Sequence, residues 1–223
     1  MKQSLLTAFL LFSGILVHAQ KFNFGIKGSV GRTTLETSFE NPDFNFDSKG
    51  RLAIRIAGYA EYKLSEEFAL QVEVAPTFLG GKYEYRNDDL GMINKISMHT
   101  LNFPLLFKYY PAGNFNLNTG VDLGFLIEAE SAVSRNSDHK LFLAGDLVQN
   151  LFSEKTDFKD YIKSFSANPF VGAEYHLNNG LFLDTRYTFG VFNVAKKKGE
   201  EGFRTLKNSY LLIGVGYRIK KKK

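Results

Sequence analysis

Set aside the first twenty residues and three histidines remain for acid–base chemistry: His99, His139 and His176. His139 follows Asp138 in a polar stretch that also holds Ser131, Ser134 and Ser137, the residue types of a nucleophile–base–acid set. Such a set is defined by geometry, and Ser, Asp and His are common in polar loops. His176 lies two residues after Glu174, a spacing that puts both on one face of a strand and suits a buried hydrogen-bonding pair. His99 falls where an alternating apolar pattern breaks, as at a β-bulge. The three do not have metal-ligand spacing, and the chain contains no cysteine, which excludes disulfides, lipid attachment through sulfur and thiolate chemistry. Gly214-Val215-Gly216 sits inside a strand pattern and does not fit a phosphate-binding loop. The sequence therefore predicts no catalytic residue, no metal and no cofactor.

The elements around these residues carry more information. Lys2, the apolar run Leu5 to Val17 and the small-residue site Val17-His18-Ala19 form the three parts of a secretory signal peptide, 1–19, with Gln20 as the first mature residue. About 204 residues remain, enough for one domain or one small barrel. They hold 22 Phe, 11 Tyr and 20 Gly against 5 Pro and no Trp, a β-leaning composition. No later apolar stretch reaches the ~18 residues of a helical membrane span. The net charge of +5 is concentrated in Arg218 and the tail 220–223. The body of the chain lacks the basic, aromatic-interleaved face that nucleic-acid binding needs.

Period-two alternation recurs eight times. Apolar sets run Phe22–Val30, Leu52–Tyr62, Leu70–Phe78, Leu101–Tyr109, Leu117–Ile127, Val171–Leu177, Leu181–Val191 and Leu211–Ile219. Short turns fall at Ser65-Glu66-Glu67, Pro111 to Asn114 and Asn178-Asn179-Gly180, the last a strong hairpin signal. Long polar connections run from Thr33 to Gly50, Asn87 to Asn94, Glu130 to Phe165 and Ala195 to Lys207. Long and short alternate strictly, as in an outer-membrane barrel with short periplasmic turns and long extracellular loops. The expected fold is all-β: an eight-stranded antiparallel up-and-down transmembrane β-barrel over 20–219, followed by the basic tail 220–223. Phe22, Phe24, Tyr62, Tyr109, Tyr175, Tyr187 and Tyr217 fall near strand ends, where interfacial aromatic girdles lie.

The opposite parity predicts the lumen. It holds Lys27, Arg55, Lys63, Lys108, Arg186 and Arg218 against Glu61, Glu73, Asp122, Glu128, Glu174 and Asp184. An eight-stranded barrel has room only for its own side chains, and buried charges must pair. The expectation is a lumen plugged by ion pairs, unlike the conducting porins of about 16 strands. Within the connection 130–165, Leu141 to Leu151 has roughly helical apolar spacing, and Asp157 to Lys163 adds Phe158, Tyr161 and Ile162. Both suit a lid over the barrel mouth or a surface for a protein partner.

Three segments resemble the PorT-like outer-membrane β-barrel family of Bacteroidetes-type bacteria. They are Phe22-Asn-Phe-Gly-Ile-Lys-Gly-Ser29, the proline-containing Leu101-Asn-Phe-Pro-Leu-Leu-Phe-Lys-Tyr109 and Leu183-Asp-Thr-Arg-Tyr-Thr-Phe-Gly-Val191. Asp157-Phe-Lys-Asp-Tyr-Ile-Lys163 also fits it, and the resemblance covers Lys21 to Ile219. It implies outer-membrane location and an eight-stranded barrel without implying one activity. The chain departs from many outer-membrane barrels in following Tyr217-Arg-Ile219 with four lysines in place of a terminal aromatic. The leading expectation is a monomeric, non-enzymatic barrel in contact with outer-membrane lipid, with a structural, surface-interaction or export-accessory role. Two rivals differ in where the apolar side chains point and what the histidines do. One is a soluble periplasmic lipocalin-like barrel around an apolar ligand; the other is a small outer-membrane enzyme that modifies lipid.

Overall fold

The computed structural model describes residues 22–39, 47–87, 90–136, 154–196 and 203–219. Nine strands follow in chain order: β1 (Phe22–Phe39), β2 (Asp47–Lys63), β3 (Phe68–Asn87), β4 (Leu90–Ala112), β5 (Phe115–Asn136), β6 (Glu154–Asp157), β7 (Phe165–His176), β8 (Leu181–Thr188) and β9 (Phe203–Ile219). Eight of them hydrogen-bond as a closed antiparallel ring in the order β1-β2-β3-β4-β5-β7-β8-β9. Closure runs along β1 and β9, from Phe24↔Ile219 to Phe39↔Phe203. The short β6 stands outside the ring count and pairs only with the far end of β5, Glu130 to Val133.

Alternation explains why the sheet closes with this side inward. Leu52, Ile56, Ile26, Ile213, Val215 and Leu183 are among the most exposed side chains. Lys27, Arg55, Glu61, Glu73, Lys108, Asp122, Glu174, Asp184 and Arg186 are almost completely buried. A soluble lipocalin-like barrel would invert this arrangement. In water the outer face would be a large unpartnered apolar surface; in a bilayer it matches the hydrocarbon. Both girdles can be read in ring contacts. At the short-turn end Phe22 meets Tyr62 at 4.9 Å and Phe68 meets Tyr109 at 5.3 Å. At the other end Phe125 meets Phe165 at 5.4 Å. In the Asn178-Asn179-Gly180 turn, Gly180 has φ 98°, which a side-chain-bearing residue rarely adopts.

All the ring strands but one are longer than the alternating runs suggest; β8 is shorter, ending at Thr188 where the run reaches Val191. Much of what reads as loop in 33–50, 87–94, 130–165 and 195–207 is strand, because β1 to β5 and β9 continue past the apolar belt. These extensions carry polar outer residues, which remove the apolar half of the alternation signal. The expected helical segment 141–151 lies outside the described residues, as do the expected signal peptide 1–19 and the tail 220–223. Asp157 to Lys163 is not the amphipathic helix that its spacing suggests. It ends β6, makes a single 3-10 turn at Lys159–Tyr161 and buries Phe158 and Ile162.

The wall is irregular in one sector. β7 and β8 stop at Phe165 and Thr188, and above them 158–164 and 189–196 continue the wall between β5 and β9. Phe158 N donates to Ala129 O and Leu126 N to Ser164 O on the β5 side, and Val194 N donates to Leu206 O on the β9 side. Lys163 N to Val194 O at 2.7 Å and Lys196 N to Tyr161 O at 2.9 Å join the two segments. Inside this upper third an apolar cluster includes Leu35, Leu79, Ile96, Met98, Ile162, Val194 and Leu206.

Candidate functional site: charged residues in the barrel lumen

Below the apolar cluster the lumen is filled by three tiers of charge. Each tier is built from residues of one parity on several strands, so pairing is set by register and not by sequence proximity. The tier nearest the short turns centres on Glu61 of β2 and Glu174 of β7. Lys108 Nζ lies 2.6 Å from Glu174 Oε2 and 3.2 Å from Glu61 Oε2. Tyr110 OH and Asn23 Nδ2 also donate to Glu61, at 2.7 and 3.0 Å. Arg218, partly open to the mouth, is 3.5 Å from Glu61 Oε1. Asn116 Nδ2 donates to Glu174 at 3.0 Å, and His176 Nε2 lies 3.2 Å from the same carboxylate. Lys63 lies 3.1 Å from the Tyr110 ring centroid, a cation–π contact.

The middle tier centres on Glu73 of β3. Arg186 donates to it through both terminal nitrogens, Nη1 at 3.1 Å and Nη2 at 2.9 Å, the bidentate geometry that a guanidinium favours. Lys27 Nζ lies 2.9 Å from Glu73 and 3.3 Å from Asp184, and Gln71 donates to Glu73 at 2.7 Å. The Arg186 guanidinium also lies 4.4 Å from the Phe170 ring centroid. In the third tier Arg55 Nη2 meets Asp122 Oδ2 at 2.6 Å, its Nε donates to Thr77 and Asn102 donates to Asp122. Tyr210 OH donates to Asp122 and accepts from Arg55.

Of the twelve residues predicted to line the lumen, ten form ion pairs inside the ring, Lys27, Arg55, Glu61, Glu73, Lys108, Asp122, Glu174, Asp184, Arg186 and Arg218, and Lys63 lies over the Tyr110 ring. Glu128 does not join them. The β4–β5 register shifts between His99 and Thr100, so Thr100 pairs with Leu126 but His99 with Glu128. The extra residue reverses the parity of β5 beyond Ile127. Glu128 is exposed on the outer surface, where its Oε2 lies 3.1 Å from His99 Nδ1. His99 and His176 are thus held by carboxylates on opposite sides of the wall. His139, Ser137 and Asp138 lie outside the described residues.

Sequence reasoning passed over the uncharged members, Tyr110, Asn23, Gln71, Asn102, Asn116 and Tyr210. Their signal was the same inward parity, and their job is to occupy the lone pairs that ion pairing leaves over. Room for them comes from small residues. A Cβ on Gly216 would lie 2.1 Å from Phe182 Cζ, so the inward Phe182 ring fits only beside glycine. Among the described residues no group of His, Cys, Asp and Glu is arranged to hold a metal ion.

An antiparallel ring of eight strands with an apolar exterior, aromatic girdles and a charged interior defines a small transmembrane β-barrel. The chain belongs to the outer membrane protein β-barrel domain family, whose model matches residues 18–196. Its place is the outer membrane. Among solved structures it is similar to Ail, the attachment invasion locus protein of Yersinia pestis, with 12% identity over 89% of this chain and 99% of that one and a TM-score of 0.47. It is similar to Neisserial surface protein A with 10% identity over 88% and 97%, TM-score 0.44. The outer membrane protease OmpT of Escherichia coli is also similar, with 10% identity over 89% and 96%, TM-score 0.44. No curated protein matches the chain.

Proposed function

We propose that this protein is a plugged, non-conducting and non-enzymatic outer-membrane barrel whose role is to hold an extracellular surface in place. The carrying observation is the middle tier, where Glu73, Arg186, Lys27 and Asp184 bridge β1, β3 and β8 across the lumen. A hydrated ion cannot pass without breaking buried pairs that cost several kcal/mol each to separate (about 3–5). The non-enzymatic reading is supported by the placement of His99 and His176 on opposite sides of the barrel wall, where they share no site. Lys2 and the run Leu5 to Val17 support export by a cleaved signal peptide. The Leu101–Tyr109 and Leu183–Val191 segments support a PorT-like branch of the family. The long connections between Asn136 and Phe165 are the surface offered to a protein partner, with the barrel acting as a monomeric post.

Planar-bilayer recording on the purified full chain tests the reading. The expected result is no conductance steps above background. Stable ohmic steps in wild-type protein would overturn the plug.

A further inference from the structure

The seam between β5 and β9 has a cavity behind it. It measures about 30 Å³ and lies between the third charged tier and the apolar cluster. Leu79, Met98, Leu126, Ile162, Phe165 and Val194 give it apolar sides, and Asn102, Asn168, Asn208 and Tyr210 give it a polar end. On the membrane side of the same seam Phe165, Phe189 and Val191 are exposed. An apolar path therefore runs from lipid to cavity through a part of the wall where two backbone hydrogen bonds stand in for a ladder. Along β3 and β4 the ladder extends from Phe68↔Tyr109 to Asn87↔Leu90.

We infer that this seam is a lateral entry for a small uncharged amphiphile from the membrane, held with its hydrocarbon toward Ile162 and Phe165 and its polar end toward Asn168 and Asn208. The inference goes beyond the plugged-barrel reading but shares its premise that the apolar face meets lipid. An uncharged ligand head is favoured by the inner, polar end of the cavity, whose one ionic pair is already matched, while Lys163 stands at the exposed rim. Arg55 is paired with Asp122, and Lys163 Nζ donates to Asn193 O. The polar end selects an acceptor. Asn168 Oδ1 accepts from Phe192 N and Asn208 Oδ1 accepts from Thr33 Oγ1, so what each amide still offers is its NH2 donors. A carbonyl oxygen answers them. At rest the cavity has room for no more than two or three waters (each needs roughly 10–15 Å³), so entry of a larger molecule requires the two segments to part.

Ile162 and Ala195 form an isolated antiparallel bridge across the seam. The flanking bonds, Lys163 N to Val194 O and Lys196 N to Tyr161 O, make it a non-hydrogen-bonded pair, whose Cα atoms lie roughly 4.5 Å apart, close enough for a disulfide. The chain has no other cysteine, so the double variant Ile162→Cys/Ala195→Cys locks the seam when oxidised and frees it when reduced. The full chain is folded into phosphatidylcholine vesicles and photolysed with a ten-carbon methyl ketone bearing a terminal diazirine. Adducts are then mapped by peptide mass spectrometry. Reduced protein is expected to carry adducts on Leu126 and on 164–166, with at least a fivefold loss on oxidation and no change in the heat-dependent gel mobility that reports the folded barrel. If the cysteine pair blocks folding, Leu126→Trp fills the cavity and is expected to give the same loss at 164–166 relative to wild type. Adducts confined to outer residues such as Val72 and Leu105, or interior adducts indifferent to both the lock and the tryptophan, would overturn the inference while leaving the plugged barrel standing.

Discussion

Removing Glu73 is the sharpest test of the lumen. Glu73→Ala deletes an acceptor that binds Lys27 at 2.9 Å, both arms of Arg186 and Gln71 at 2.7 Å. Lys27 keeps Asp184 at 3.3 Å, so its loss is partial. Arg186 keeps the Phe170 ring but loses its bidentate carboxylate. The cost is therefore that of one broken buried pair, about 3–5 kcal/mol, and not of two. With a urea slope of about 2 kcal/mol/M, the unfolding midpoint should fall by roughly 2 M. The assay is equilibrium unfolding in vesicles followed by far-UV circular dichroism and gel mobility, since the chain has no tryptophan. The quadruple variant Lys27→Met/Glu73→Leu/Asp184→Leu/Arg186→Met removes all four charges of the tier and should lie within about 1 kcal/mol of wild type or above it. A Glu73→Ala shift below roughly 0.3 M would refute the reasoning, because it would mean that water solvates these cations inside the barrel.

Other substitutions probe single statements. Tyr210→Phe should cost about 1–3 kcal/mol in the same assay, because it leaves Asp122 and Arg55 each short of a hydrogen bond. Gly216→Val should cost about 1–3 kcal/mol through collision with Phe182, and Phe182→Ala in the same chain should recover part of it. Leu105→Arg, on the exposed apolar face, should cost about 2–4 kcal/mol if that face meets the bilayer midplane. Glu128→Gln should change stability by less than about 0.5 kcal/mol, whereas a lumen position would make the loss several times larger.

What could be read in advance was whatever repeats every second residue. The apolar sets are long enough to fix parity, and parity alone sends Lys27, Arg55, Glu73, Asp122 and Arg186 to the same side of a closed sheet. Glu128 escaped because the extra residue is Ile127 of β5, opposite His99 and not in the His99 strand where the pattern break pointed, and it reverses the parity of everything after it. The strand extensions escaped for a different reason: outside hydrocarbon, neither face needs to be apolar. Tier membership was not legible at all, since Lys27 and Asp184 lie far apart in sequence and meet only through ring closure and stagger. The seam was invisible because the alternation through Phe189 and Val191 runs on past the end of β8, and Phe158, Tyr161 and Ile162 are spaced as if for a helix.

The unequal strands give the barrel a wall of two kinds above the lipid-facing belt. β8 ends at Thr188, near the top of the lipid-facing belt, while β4 continues from His99 up to Leu90. At ~3.3 Å per residue and a tilt of ~40°, that side stands roughly 20 Å above the belt. A large molecule approaching from outside would meet the ladder of β3, β4 and β5 on one side and, on the other, the wall that 158–164 and 189–196 carry upward between β5 and β9. The two sides of the protein thus differ in how firmly the backbone is tied, so that the barrel has one loose stave: a continuous ladder on one side, two backbone bonds across the seam on the other.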